Sequence, residues 1–119
     1  MLSLSHQCRY FLYSGKTDMR KGFDSLSGIV RSKLNENPMN GDIFIFLNRN
    51  RNHVKLLLWE GDGFSMYHKR LERGTYEIPV HCKNVTKSEI SASVLQLVLQ
   101  GISLESVRHR KRYKSPGNL

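Results

Sequence analysis

The chain has 119 residues, which is enough for one hydrophobic core and too few for two. It carries 19 Lys and Arg against 10 Asp and Glu, a formal net charge of +9. A positive field of this size attracts polyanions, so the composition favours a protein that faces nucleic acid. The mean hydropathy is −0.47, and every apolar run is far shorter than the roughly 20 residues that span a bilayer, which argues against a transmembrane protein.

The first residues and the cysteines bear on the cellular compartment. Residues 1–5 have neither a basic start nor a sustained apolar run, so we expect no signal peptide. Cys8 and Cys82 do not have the spacing of a disulfide framework, which suits a reducing environment. We therefore expect a cytoplasmic protein with no membrane partner.

The first third of the chain is predicted to form a strand and a helix. Residues 9–13 are typical of a short strand. For the helix, Thr17 or Asp18 is expected to cap the start, and Asn37-Pro38 ends the segment. Its apolar positions recur at spacings of three and four, as on one face of a helix: Phe23, Leu26, Ile29, Val30 and Leu34.

The middle of the chain is predicted to form consecutive strands. Residues 43–47 and 54–59 are apolar runs joined by the polar segment 48–52, as in a β-hairpin. The Glu-Gly-Asp-Gly turn at 60–63 leads into a strand over 64–71, and a brief strand is expected at 76–78. Trp59 is expected to pack in the core at the end of its strand, although an exposed Trp59 would anchor a protein partner.

A second helix is predicted from residue 86 onward. Thr86 and Glu89 have the spacing of a capping box. Gly101 is placed to end the helix. Its buried stripe is expected to consist of Ile90, Val94, Leu97 and Val98.

These elements predict an α+β fold. Residues 1–107 are expected to form a single domain, an antiparallel sheet of four to five strands with two helices packed on one face. Residues 108–119 are predicted to be a basic, flexible C-terminal tail.

Three groups of cations in the predicted domain are candidates for nucleic-acid binding. The first lies in the first turn of the first helix, beside free backbone N–H groups that favour a phosphate. The second surrounds the hairpin tip, and the third lies near the other end of the sheet, where Tyr67 and His68 could add stacking. Solvated side chains without any ligand would give the same sequence. The groups are Arg20 and Lys21; Arg49, Arg51 and Lys55; and Lys69, Arg70 and Arg73.

The predicted tail supplies a fourth group of cations. Binding of DNA by this run would release counterions and depend strongly on salt, but the run lacks the fixed geometry that reads base edges. It could also dock on an acidic protein. Its members are Arg108, Arg110, Lys111, Arg112 and Lys114.

Enzymatic and metal-binding interpretations have less support. Carboxylates could be gathered around Mg²⁺, but their positions equally suit a helix cap and a turn; they are Asp18, Asp24, Glu60 and Asp62. The candidate zinc ligands lack the spacing of a zinc finger; they are His6, Cys8, His81 and Cys82. We therefore expect no cofactor and no enzymatic activity.

Four ordered motifs resemble one known family. They are TDMRKGFD at residues 17–24, FLNR at 46–49, LWEGDG at 58–63 and KRLERG at 69–74. The chain is similar over about residues 9–101 to the accessory protein of the sixty-six-type bacterial insertion sequences. That protein is encoded by the second open reading frame, beside the transposase, and is often labelled TnpB. Ser25, where Gly is common, and the strongly basic ending depart from the family pattern.

The resemblance implies a role in transposition and supplies no catalytic residue, because the accessory protein is not the catalytic subunit. Together with the charge, it predicts a non-catalytic accessory factor that binds DNA and assists the transposase. The alternative is a protein–protein interaction module that docks on the transposase without touching DNA.

Overall fold

A computed structural model describes residues 8–100 of the chain. Five strands form one sheet in the order β4-β3-β2-β1-β5. The β1–β2 pair is parallel and the other three pairs are antiparallel. The strands are β1 (Tyr10–Lys16), β2 (Ile43–Leu47), β3 (His53–Trp59), β4 (Phe64–Arg70) and β5 (Lys87–Ile90).

Two helices complete the fold. Helix α1 (Phe23–Lys33) connects the parallel strands β1 and β2, and helix α2 (Ala92–Leu99) follows β5. A single 3₁₀ turn, Val80–Cys82, lies in the connection between β4 and β5. The predicted α+β class, the single domain and the number of strands are confirmed, whereas the sheet is mixed and not antiparallel throughout as predicted, because β1 and β2 run parallel.

The helices lie on opposite faces of the sheet, so the prediction that both pack on one face is wrong. Along β1, Phe11 packs with Leu26 and Val30 of α1, whereas its neighbour Leu12 packs with Leu95 of α2. Successive side chains of a strand point to opposite faces, which separates the two clusters. The parallel β1–β2 pair requires a crossover connection, and α1 forms it over one face, leaving the other face to α2.

The first helix begins later than predicted. Its N-cap is Gly22, which makes no side-chain capping bond. Neither predicted cap lies at the helix start. Thr17 is buried, and its backbone N–H donates to the Leu47 carbonyl (2.9 Å), which continues the pairing of β1 with β2. The Asp18 carboxylate accepts hydrogen bonds from Arg20 and does not cap the helix. The helix ends at Lys33, just before Asn35, whose φ of 54° is left-handed.

The predicted start of the second helix is also wrong, because residues 87–90 are a strand. They pair with residues 13–10 of β1 and so close one side of the sheet. The helix begins after Ser91, whose Oγ accepts a hydrogen bond from the Val94 N–H (3.1 Å). Its buried residues are Ala92, Leu95 and Val98, while Val94 and Leu97 are half-buried. Gly101 lies outside the described residues.

Segment 76–78 is not a strand, although Tyr76 and Ile78 are buried as core residues. The Tyr76 N–H donates to the Arg51 carbonyl in the β2–β3 loop (2.6 Å). Burial raises the pKa of the Tyr76 phenol to about 12, with nearby Tyr67 as a secondary cause. Tyr76 therefore ties the connection after β4 to the loop that faces it.

The position of the second helix cap can be tested by two matched substitutions. We expect Ser91→Ala to lower the free energy of unfolding by about 1 kcal/mol, because it removes an N-cap acceptor. Thr86→Ala should change it by less than about 0.5 kcal/mol, since Thr86 is exposed and lies outside the helix. Urea denaturation of both variants measures the difference. A larger loss for Thr86→Ala would contradict the assigned helix start.

Candidate nucleic-acid interface

Cations from four segments meet at one end of the sheet. The carboxyl ends of β1, β2 and β4 lie at this end together with the start of β3, because Lys16 pairs with Leu47 and His53 pairs with Arg70. The loop between β2 and β3 and the turn after β4 project beyond it. We call this set the basic end: Lys16, Arg49, Arg51, Arg70 and Arg73. Lys69, Arg70 and Arg73 were predicted at the opposite end from the hairpin tip; that prediction is wrong, since β4 runs parallel to β2.

The opposite end of the sheet has the reverse balance of charge. Asp42 precedes β2, and Glu60 and Asp62 lie in the turn between β3 and β4. Arg9, which precedes β1, is occupied by a forked hydrogen bond to the Asp42 carboxylate at 2.8 and 3.2 Å, and this contact raises the pKa of the Arg9 guanidinium. The sheet is thus electrically polar along its strands, with the excess of positive charge at the basic end.

The hairpin tip of the basic end is held rigidly by Asn48. Its Oδ1 accepts hydrogen bonds from the backbone N–H groups of Asn52 and His53 (3.0 Å each), and its Nδ2 donates to the Asn52 side chain (2.7 Å). Arg51 adopts a left-handed backbone conformation with φ of 55°. Arg49 is exposed at the tip and Arg51 is half-buried beside it.

The turn after β4 is fastened to this tip by the backbone. The Leu71 N–H donates to the Asn52 carbonyl (2.8 Å), and the Tyr76 N–H donates to the Arg51 carbonyl. Arg70 forms an exposed ion pair with Glu72 at 2.9 Å, whereas Arg73 has no ion-pair partner among residues 8–100. The structure therefore brings Arg49, Arg51 and Arg73 together on two connected loops.

Lys55 is buried and holds a loop in place, a role that the sequence did not indicate. Its side chain lies on the α1 face of β3, and the residue is only 7% exposed. The ammonium donates to the backbone carbonyls of Met19 (2.6 Å) and Lys21 (2.8 Å). These bonds fix the segment between β1 and α1 against the sheet, so the ammonium is already occupied within the chain.

Arg20 and Lys21 lie in that fixed segment, before the helix and not in its first turn as predicted. The Arg20 guanidinium forms a fork with the Asp18 carboxylate, with the shortest contact at 2.6 Å. The hydrogen bonds from Arg20, helped by its charge, lower the pKa of Asp18 far below its usual range. Arg20 is thus paired yet 91% exposed, and Lys21 is exposed beside it.

Lys69 also has a partner within the chain. Its ammonium donates to the Leu99 carbonyl at the end of α2 (2.9 Å). The predicted alternation along β4 is confirmed: Tyr67 packs on the α2 side of the sheet, and His68 lies on the other face. Arg108, Arg110, Lys111, Arg112 and Lys114 lie outside the described residues.

Sequence reasoning missed a histidine pair beside the basic end. His53 Nδ1 and His68 Nε2 are 3.0 Å apart on neighbouring strands. Burial lowers the pKa of His68, and the nearby charges of Lys55 and His53 add to this. Lys55 and His68 are cross-strand partners, and His53 lies two residues before Lys55 on the same face of β3. Period-two alternation with the correct hairpin register would therefore have placed His53 diagonally beside His68.

Trp59 does not reach the core; it is half-buried at the far end of β3. Its ring packs edge-on against Phe64 (centroids 4.9 Å apart), and Phe64 stacks on Phe23 of α1 (6.5 Å). Phe23 is 46% exposed. This aromatic cluster, Phe23, Trp59 and Phe64, adjoins the acidic turn and not the basic end.

Comparison with known proteins decides the family. The family model of the IS66 Orf2 like protein matches residues 8–109, which is most of the chain. The chain belongs to this family. The family associates it with transposition of an insertion sequence, and the resemblance drawn from the four motifs is confirmed.

Two curated proteins are similar to this chain over 79 residues. It is 37% identical to the uncharacterized protein y4hO of Sinorhizobium fredii over 79 residues, which cover 66% of this chain and 69% of the relative. It is 30% identical to the uncharacterized protein y4jC of the same organism, over 66% of this chain and 68% of the relative. No solved structure matches it.

Within residues 8–100, the carboxylate, histidine and cysteine side chains form no group of three that could hold a metal ion. No helix in the same range is long and apolar enough to cross a membrane.

Proposed function

We propose that this chain is a non-catalytic accessory factor that binds element DNA through its basic end and thereby assists the transposase. The observation that carries the proposal is the convergence of Arg49, Arg51 and Arg73 on two loops fastened to each other by backbone hydrogen bonds. These bonds fix the backbone positions from which the three arginine side chains extend, so the spacing of the cations suits phosphates at fixed spacing.

The polarity of the sheet supports an oriented mode of binding. The acidic groups Asp42, Glu60 and Asp62 lie at the end that would face away from the DNA. Arg20 and Lys21 are exposed in the segment that Lys55 holds down, and they extend the positive surface along the α1 face. Repulsion at one end and attraction at the other steer the basic end toward a polyanion.

The first experiment is a comparison of two DNA duplexes across a salt series. We expect the full-length chain to bind a duplex with the terminal repeat of the element more tightly than a scrambled duplex of the same composition, with affinity falling steeply as salt rises. Fluorescence anisotropy measures both affinities. Equal affinities would leave a DNA-binding protein without a targeting role, and no binding at moderate salt would reject the proposal.

A second function, docking on the transposase without DNA contact, is favoured by the aromatic cluster Phe23, Trp59 and Phe64. Exposed aromatic side chains are common anchors of protein interfaces. Phe23 is 46% exposed and stacks on Phe64, which follows the acidic turn with Glu60 and Asp62. This function predicts that Phe23→Ala weakens binding to the purified transposase while affinity for DNA is unchanged.

A further inference from the structure

Strand β4 forms an open edge of the sheet, and its backbone orientation is fixed by the hydrogen bonds that flank it. The Leu71 N–H donates to the Asn52 carbonyl, and the Glu60 N–H donates to the Gly63 carbonyl. Since inward and outward residues alternate in an antiparallel pair, Ser65, Tyr67 and Lys69 direct their backbone groups to β3. The residues that direct them outward are Phe64, Met66, His68 and Arg70, and nothing in residues 8–100 pairs with those groups.

The two edges of the sheet differ in how they are protected. β5 has only four residues, and a short edge strand offers little template to another chain. β4 has seven residues and no proline. Its two cations already have partners within the chain: Lys69 donates to the Leu99 carbonyl, and Arg70 donates to Glu72. They therefore oppose pairing with another strand less than free charges would.

We propose that two copies of this chain pair through β4, antiparallel about a two-fold axis that passes beside Tyr67. Outward residues must face outward residues of the partner, which restricts the allowed registers to alternate positions. Of these registers, the one centred on Tyr67 matches all seven residues of the strand and forms about eight backbone hydrogen bonds.

The side chains are complementary in that register. Arg70 lies opposite the partner's Phe64, Lys69 opposite the partner's Ser65 and His68 opposite the partner's Met66, so no two cations face each other. Tyr67 lies opposite the partner's Tyr67, and aromatic pairs at such positions stabilise sheets. A shift of two residues in one direction would place His68 opposite the partner's His68 and shorten the ladder.

Pairing would also cover apolar surface that one copy leaves half-exposed. Phe64, Met66 and Tyr67 are each half-buried in the single chain and lie on the edge strand. The dimer joins two five-stranded sheets into one sheet of ten strands with both copies of α1 on the same side. The two basic ends then lie at opposite ends of the joined sheet, so each copy would present its own basic end to a separate DNA segment. The pairing itself is tested without DNA.

The first test is the mass of the full-length chain in solution, measured by light scattering after size exclusion. We expect about twice the 13.8 kDa of one chain. Met66→Pro should give a monomer with an unchanged circular dichroism spectrum, because the Met66 N–H points away from β3 and its loss removes no bond within the chain. A monomeric mass for the unsubstituted chain, or a dimer that survives Met66→Pro, would overturn the proposal.

Cysteine cross-linking tests the register without requiring the proline variant to fold. In Tyr67→Cys the two introduced thiols lie at a close cross-strand pair, with Cα atoms about 4.5 Å apart, which is within disulfide range. In the control, Ser65→Cys, the two introduced thiols are displaced by four residues, about 13 Å along the strands. Mild oxidation should join two copies of the Tyr67→Cys variant through position 67 and leave the Ser65→Cys variant unlinked at position 65, as mapped by mass spectrometry. Equal cross-linking of both variants, or of neither, would reject this pairing.

Discussion

Replacing Lys55 by methionine is expected to lower the free energy of unfolding by about 3 kcal/mol. The ammonium donates to two backbone carbonyls, those of Met19 and Lys21, in a site that is only 7% exposed. Methionine keeps most of the volume of the side chain but leaves both carbonyls without their donor. Relief from burying a charge offsets part of this loss, which is why the expected value is below the sum of two charged hydrogen bonds.

Lys69→Met is the matched control for this substitution. Lys69 is half-buried, and its ammonium makes a single hydrogen bond, to the Leu99 carbonyl. We expect it to cost about 1 kcal/mol or less. Urea denaturation followed by circular dichroism measures both variants. Similar losses for the two lysines would show that the contacts to Met19 and Lys21 do not carry stability.

Removal of two cations from the basic end is expected to weaken DNA binding roughly tenfold or more at moderate salt, if the proposed function holds. The substitutions are Arg49→Gln and Arg73→Gln, both on exposed loop residues with no ion-pair partner among residues 8–100. Each lost phosphate contact should also reduce the slope of log affinity against log salt by about 1. Arg51 is left in place because it is half-buried, so its replacement would change packing as well as charge.

The control for charge alone is the double variant Arg31→Gln and Lys33→Gln. Both residues are exposed on the last turn of α1, so this variant loses the same two charges outside the basic end. We expect its affinity and salt slope to stay within a factor of about three of the unsubstituted chain. If both double variants weaken binding equally, overall charge and not the arrangement of the two loops determines affinity.

Much of the sheet could be predicted from local sequence, because its strands are short apolar runs bounded by turn residues. β2, β3 and β4 lie within one or two residues of their predicted bounds, and the hairpin and turn between them are correct. The wrong predictions concern elements whose structure depends on contacts with residues distant in sequence. Thr86 and Glu89 do have capping-box spacing, but residues 87–90 gain more by closing the sheet against β1 than by continuing a helix.

The candidate site shows the same division. The sequence indicated which residues of the site are cations. The structure brings several of them together as the basic end. The sequence could not predict that Lys55 holds the segment before α1. Period-two alternation places its side chain on the α1 face, but it does not show that residues 19–21 lie over that side chain. Nor could the sequence show that the turn after β4 reaches the hairpin tip, since that depends on β4 running parallel to β2.

The position of β1 between β2 and β5 has a consequence for the order of folding. β2, β3 and β4 are joined by short turns, so their pairing closes small loops and is expected early. β1 has no local partner: Tyr10 pairs with Ile43 on one side and with Ile90 on the other. During synthesis one side of β1 therefore has no strand to pair with until β5 is made, about 80 residues later. Until then that side is an unpaired edge of a growing chain, which is where aggregation begins in slowly completed sheets.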